Sequence, residues 1–418
     1  MRFFYFFIVF GITFSSTTSQ TITDIKIEGN KKLKTSFIEK ISKTETGQSL
    51  DSIQLEDDIK LLKRLPSVSF ADYKVEYTDE GNYTVIYTIE ENFTIIPSVN
   101  VYTSNEEDVA YRIGLYEFNL LGQNMTFGGF YQKDIYNSYG INFRAPYLFS
   151  REFGLAINHQ DWQTQEPVFY DEATVNYRYR NKAFEVLGLY QPDFNNRFEL
   201  GVNVFKENYS SLEEQTLFNF LSEISANKTM IRGVYEFNNL DFNYQYVSGF
   251  KSMLNLQYVT TDNNQLPEFL IGWNDFNYYK RLGQKGNWAS RLRVGLATNN
   301  DSPFAPFSLD NNLNIRGVGN TIDRGTGAIV LNTEYRHTLI EKGWFVLQGN
   351  AFIDAGSWRN PGGDLGDFGD ADNLRVFPGA GLRFIHKSIF NAIFRIDYGY
   401  GISKKDGRGL VFGIGQYF

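Results

Sequence analysis

Across residues 93–418 apolar and polar residues alternate singly, in short runs broken by Gly, Asn, Asp and Pro. A period of two puts successive side chains on opposite faces of a strand, so this stretch reads as β throughout. Sixteen runs can be counted: 95–101, 109–118, 125–134, 139–145, 153–162, 173–190, 198–209, 229–237, 250–260, 270–282, 288–297, 328–339, 344–356, 377–385, 389–399 and 410–418. An even number of this size lies within the range of single-chain transmembrane barrels. The one stretch that reads as an amphipathic helix is 213–225.

The pattern is sharpest near the end. Phe390, Ala392, Phe394, Ile396, Tyr398 and Tyr400 share one face, while Asn391, Arg395 and Asp397 share the other. Asn332, Glu334 and Arg336 lie opposite Ile329, Leu331, Tyr335 and Leu339. Gln348, Asn350 and Asp354 lie opposite Phe345, Leu347, Ala351 and Ile353, and Arg383 lies opposite Ala380, Leu382 and Phe384. A sandwich would turn the apolar face inward and a membrane barrel the polar face, and alternation alone does not choose. Two features favour the barrel: the stretch is long for a sandwich, and closure removes edge strands. The final run, with Leu410, Phe412 and Ile414 on one face and Phe418 at its end, reads as the closing strand, with Gly413 and Gly415 weakening it and allowing a bend.

Composition fits this class. Mean hydropathy is −0.34 although 17% of residues are aromatic, as expected where alternate residues meet lipid. No later segment reaches the ~18 apolar residues of a membrane-spanning helix. The chain opens with Met1-Arg2, an apolar run over 3–14 and a small-residue segment ending at Ser19, the anatomy of a secretory signal peptide over 1–19. There are no cysteines, which excludes disulfides and thiolate chemistry. A net charge of −8 argues against a nucleic-acid partner.

Residues 20–92 read differently. Ile25 and Ile27 alternate with Lys26 and Glu28; Phe37, Ile38 and Ile41 share a helical face after Thr35, read as the N-cap. Leu55, Ile59 and Leu62 follow Asp51 and Gln54, a capping-box pair. Two alternating runs then flank a turn at Asp79-Glu80-Gly81-Asn82. The order β-α-α-β-β describes a small α+β domain without a catalytic cluster.

A polar segment, 299–327, precedes the run beginning at Ala328 and contains Asn314-Ile315-Arg316-Gly317-Val318-Gly319. An arginine between turn residues reads first as a solvated loop tip. If the loop folds into a barrel, Arg316 needs carboxylate partners there, because an unpaired buried charge is costly; Asp354, Glu334 and Asp397 share the polar face. The competing arrangement pairs Asp354 with Arg383 on a neighbouring strand.

With these residues in view, the chain resembles the BamA/TamA/FhaC superfamily of bacterial surface antigens. Ile315-Arg316-Gly317 is similar to the family's sixth-loop motif, with Val318 in place of its aromatic. Phe352-x-Asp354-x-Gly356 resembles its Phe-x-Asp-x-Gly strand motif, and Gly379-x-Gly381-x-Arg383 the strand that follows. The β-α-α-β-β domain resembles a POTRA module, and Gly415 matches the family's kink position. The resemblance implies a sixteen-stranded outer-membrane barrel (93–418), one periplasmic POTRA domain (20–92), and a loop tethered by Arg316 to lumenal partners. It further implies the lipid bilayer and unfolded or secreted client proteins as partners, together with periplasmic chaperones or accessory assembly proteins where the family uses them. The expected activity is insertion or translocation of proteins through a seam between first and last strands. A passive pore for small solutes and a two-partner secretion transporter are the alternatives. Enzyme motifs and cofactor sites are not found: no Ser/His/Asp set, no phosphate loop, and His159, His337 and His386 scattered. Asp364, Asp367, Asp370 and Asp372 lack the spacing of a calcium loop and read as solvated.

Overall fold

A computed structural model describes residues 20–418 except 79–80, 104–108, 134, 170–173, 213–221, 264–265, 267, 301–304, 310–313, 319–322 and 404–406. Residues 1–19, read above as a signal peptide, and Gly319 therefore lie outside the described residues.

The amino-terminal domain comprises β1 (Ile22–Glu28), α1 (Thr35–Ile41), α2 (Ser52–Lys63), β2 (Val68–Tyr77) and β3 (Tyr83–Glu91). Its sheet runs β1-β3-β2, with β1 parallel to β3 and β2 antiparallel. Phe37, Ile38 and Ile41 of α1 and Leu55, Ile59 and Leu62 of α2 pack onto Val85, Tyr87 and Ile89 of the central strand. Asp51 caps α2 by accepting from the amides of Ile53 and Gln54. Thr35 is not the N-cap of α1: Lys34 holds that position, and the Thr35 hydroxyl accepts from Asn30 instead.

Sixteen long strands form an antiparallel barrel. They are β4 (Ile95–Thr103), β5 (Val109–Leu120), β6 (Met125–Lys133), β7 (Asn137–Ala145), β8 (Phe153–Phe169), β9 (Thr174–Tyr190), β10 (Asn196–Ser211) and β11 (Glu223–Asn238), then, past a three-residue β12 (Asp241–Asn243), β13 (Tyr246–Thr261), β14 (Phe269–Leu282) and β15 (Gly286–Ala297). A two-stranded hairpin, β16 (Phe307–Leu309) with β17 (Asp323–Gly325), interrupts the wall before β18 (Gly327–Lys342), β19 (Phe345–Arg359), β20 (Leu374–His386), β21 (Ile393–Tyr400) and β22 (Arg408–Ile414). Residues 223–225 of the anticipated helix belong to β11, and 213–221 lie outside the described residues. The final strand is shorter than its alternation suggested. It ends at Ile414, and Gly415 turns away with φ +87°, a conformation glycine adopts without strain. Gly415 and Phe418 are thus outside the closing strand, whereas Gly413 is within it.

The wall is inside out relative to a water-soluble protein. Leu331, Leu339, Ile353, Leu382, Phe394, Tyr398, Leu410 and Phe412 are exposed on the outer face. Glu334, Arg336, Asp354, Arg383 and Asp397 are each at most 1% exposed within. Water cannot favour that distribution and hydrocarbon can, which decides against a sandwich. Strand length is uneven: β8 and β9 have 17 residues each, β21 and β22 only 8 and 7.

The small domain sits on the barrel's turns. The Arg64 guanidinium donates to the carbonyls of Leu240 (2.9 Å) and Phe194 (3.0 Å) and lies 4.0 Å from the Phe194 ring. Phe70 stacks on Tyr244, whose hydroxyl donates to Glu90, and Lys40 donates to the Tyr147 carbonyl at 2.6 Å. Burial lowers the Arg64 pKa from its ordinary value, so its carbonyl partners offset a desolvated charge. We expect Arg64→Ala to leave the barrel folded and to broaden the distance distribution between spin labels at the exposed positions Ile53 and Phe149. An unchanged distribution would show that the other contacts suffice.

Candidate functional site: a loop tethered in the lumen

Register aligns the lumenal residues of the last five strands into lateral rows. One runs Glu334, Phe352, Gly379, Gly399, Gly409; the next runs Arg336, Asn350, Gly381, Asp397, Val411. A third runs Thr338, Gln348, Arg383, Arg395, Gly413. Glycines and charged groups are thus neighbours across strands.

Arg316 reaches these rows from the loop carrying β16 and β17. Its Nε and Nη2 donate to the two oxygens of Asp354 (2.8 and 2.9 Å), and Nη1 donates to Glu334 at 2.5 Å. Its backbone amide donates to Asp354 Oδ2 at 2.9 Å. Asp397 lies 3.7 Å from Nη1. The fork geometry of a guanidinium matches this carboxylate bidentately, which a lysine ammonium could not reproduce. Asp354 therefore takes Arg316 rather than Arg383. Arg383 instead donates to Asp397 (2.7 Å) and Glu334 (3.3 Å). Arg336 donates to the other Glu334 oxygen.

Each residue of the two strand motifs has a separate reason to be there. The Phe352 ring lies 3.7 Å from the Arg316 guanidinium, an attraction strengthened where water is excluded. Gly356 makes room for the loop: a Cβ there would come within 2.7 Å of Ile315 Cδ1. A Cβ on Gly379 would stand 2.2 Å from the Phe352 ring, and one on Gly381 would stand 2.2 Å from an Asp397 oxygen. Two glycines of the first row, Gly399 and Gly409, form a trough for the loop tip. Gly317, at φ +96°, packs on the Gly399 backbone, and a Gly409 Cβ would approach the Gly317 carbonyl at 3.2 Å. Ile315 and Val318 are buried with Phe307, Leu309, Trp358 and Phe377. Where the resemblance expects an aromatic, Val318 therefore occupies an apolar pocket.

Beyond Gly415 the chain enters the same lumen. The Tyr417 ring lies 4.6 Å from Arg316 and 4.8 Å from Arg395. Gln416 accepts from Arg383 at 3.3 Å, and the Phe418 carbonyl accepts from Arg336 at 3.4 Å. The sequence placed this segment on the wall; the signal for its departure was Gly415. A separate ion-pair ladder, Arg144–Glu199–Arg197–Glu236–Lys251, crosses the opposite side of the lumen. Its members lie on four different strands, so cross-strand register rather than local sequence brings them together. In the acidic loop, Asp364, Asp367 and Asp370 accept from the amides of Gly366, Asn360 and Asp372. No cluster of metal-ligating residues occurs among the described residues.

The described residues thus combine a sixteen-strand barrel with an apolar outer face, an arginine-tethered loop in its lumen and a small α+β domain ahead of it. Residues 20–92 match the POTRA family model, described as surface antigen variable number repeat. Among solved structures, BamA from Haemophilus ducreyi lacking POTRA domains 1–3 is 17% identical, with TM-score 0.53 over 94% of this chain and 84% of that one. CdiB from Acinetobacter baumannii gives 13% and 0.60 over 94% and 73%, and CdiB from Escherichia coli 12% and 0.63 over 95% and 76%. Comparison with curated protein sequences found no match. The chain therefore shares the fold of these barrels, and its residues 20–92 match the POTRA family.

Removing one partner of a buried ion network leaves uncompensated charge, at a cost of about 3–5 kcal/mol. Arg316→Ala should accordingly lower the denaturant midpoint and expose the loop to protease while the barrel still inserts into lipid. Gly399→Ala tests the trough without altering charge: its Cβ would fall 2.2 Å from the Arg316 carbonyl, so the loop should again become protease-sensitive. Wild-type protection in both variants would contradict the tether.

Proposed function

We propose that this barrel assists the insertion or translocation of other proteins at the outer membrane, with the POTRA domain in the periplasm recruiting clients and the seam between β4 and β22 engaging them. The observation that carries this reading is the construction of the seam. The sheet order closes with β22 beside β4, yet β22 has seven residues and is followed by the turn at Gly415. β4 contains Pro97, which cannot donate to a ladder and is typical of sheet edges. Just ahead of β4, Phe93 makes an isolated bridge to Ile389, in the turn between β20 and β21. A short ladder separates at lower cost than the long ladders opposite, and a separated strand can pair with an incoming one.

Recruitment would use backbone pairing too. In the POTRA sheet β1 and β2 are the outer strands, and the amino-terminal end of β1 is already engaged, Ile22 exchanging hydrogen bonds with Gly47 and Gln48. β2 is the longer open edge. Neither step requires bond-making chemistry, so the protein is proposed to be no enzyme. The passive-pore alternative is disfavoured by the packed loop and 416–418 segment beside β18–β22.

A disulfide or bifunctional cross-link between β4 and β22 should abolish client insertion or secretion while the barrel assembles normally. Full activity in the locked form would overturn the seam reading, and ion conductance without any defect in client proteins on depletion would favour the pore.

A further inference from the structure

The 416–418 segment touches both ends of the lumenal network. On one side Tyr417, only 5% exposed, lies against Arg316, so loop and segment share one guanidinium, with Phe352 its other ring neighbour. On the other side Phe418 packs against an apolar cluster that contains Leu240, Tyr279 and Ala289. Leu240 is the residue whose carbonyl receives Arg64 of the POTRA domain. Between these ends, Gln416 and the Phe418 carbonyl take hydrogen bonds from Arg383 and Arg336, which also bind Glu334, the second carboxylate of the Arg316 tether.

We propose that residues 416–418 form a strut that couples the docked loop to the docking of the POTRA domain, so that release at either end weakens the other. Two properties make the strut suited to this. Its backbone leaves the wall at Gly415, whose amide donates to the Ile393 carbonyl, so it can shift without breaking the β21–β22 ladder. Its contacts to arginine are through ring faces as well as hydrogen bonds, and ring–cation contacts are worth most when desolvated. Coupling of this kind is reciprocal by thermodynamic necessity. It goes beyond the insertion reading and does not depend on it, because it concerns the free protein without client.

The chain has no cysteine, so single introduced thiols report cleanly. Val318→Cys, buried in the docked loop, is labelled with a maleimide in the full chain in lipid vesicles. Tyr417→Ala should raise its labelling rate roughly tenfold, the scale of a desolvated ring–cation contact, whereas Tyr417→Phe should leave it near wild type. Arg64→Ala should also raise it, and that effect should vanish in a Phe418→Ala background. An Ala226→Cys control in the opposite wall, also buried, should stay slow throughout. Unchanged labelling in Tyr417→Ala, an Arg64 effect that survives Phe418→Ala, or a parallel rise at position 226 would each overturn the proposal.

Discussion

A buried guanidinium held by two carboxylates organises the carboxyl-terminal half of this barrel. Arg316, Glu334 and Asp354 are at most 1% exposed, and none could remain charged there alone at tolerable cost. Each is stable because the others are present. The consequence is geometric: a loop that solvent would otherwise keep outside is drawn into the lumen, and its backbone must lie against the wall. That close approach accounts for Gly317 on the loop and for Gly399 of β21 and Gly409 of β22 beneath it. Charge and space are a single requirement here.

The same requirement spreads along the strands. The tether braces β18 and β19 through charge, and Gly399 and Gly409 bring the loop tip onto β21 and β22. The shortest wall is therefore reinforced from inside, whereas the far side relies on long ladders and its own Arg–Glu pairs. A barrel built this way has its shortest strands, β21 and β22, on the side where the lumen is most closely packed. Opening it there would involve the loop and the 416–418 segment together with the ladder.

Much of this was legible in the sequence, for identifiable reasons. The period of two is clear in the carboxyl-terminal strands because one face meets lipid and the other a polar lumen, so the strand count and the shared face of Glu334, Asp354 and Asp397 could be read, with the barrel reading placing that face inward. Arg316 was legible through its flanking motif. The inward turn of Tyr417 and Phe418 was not, since alternation over 410–418 continues past the point where Gly415 leaves the strand; a positive φ is a backbone property that an apolar pattern does not record. The Arg144–Glu199–Arg197–Glu236–Lys251 ladder was also hidden, because it depends on cross-strand register rather than local order. Arg64 likewise looked like an ordinary residue at the end of α2, and only the docking of the two domains gives it partners.

Hydrogen exchange at the Arg316 amide tests the central claim most directly. That N–H donates to a buried carboxylate and belongs to no ladder, so its protection reports the tether alone. In the folded protein in lipid it should exchange as slowly as the ladder amides of β18 and β19. Exchange at the rate of an unprotected loop would contradict the account.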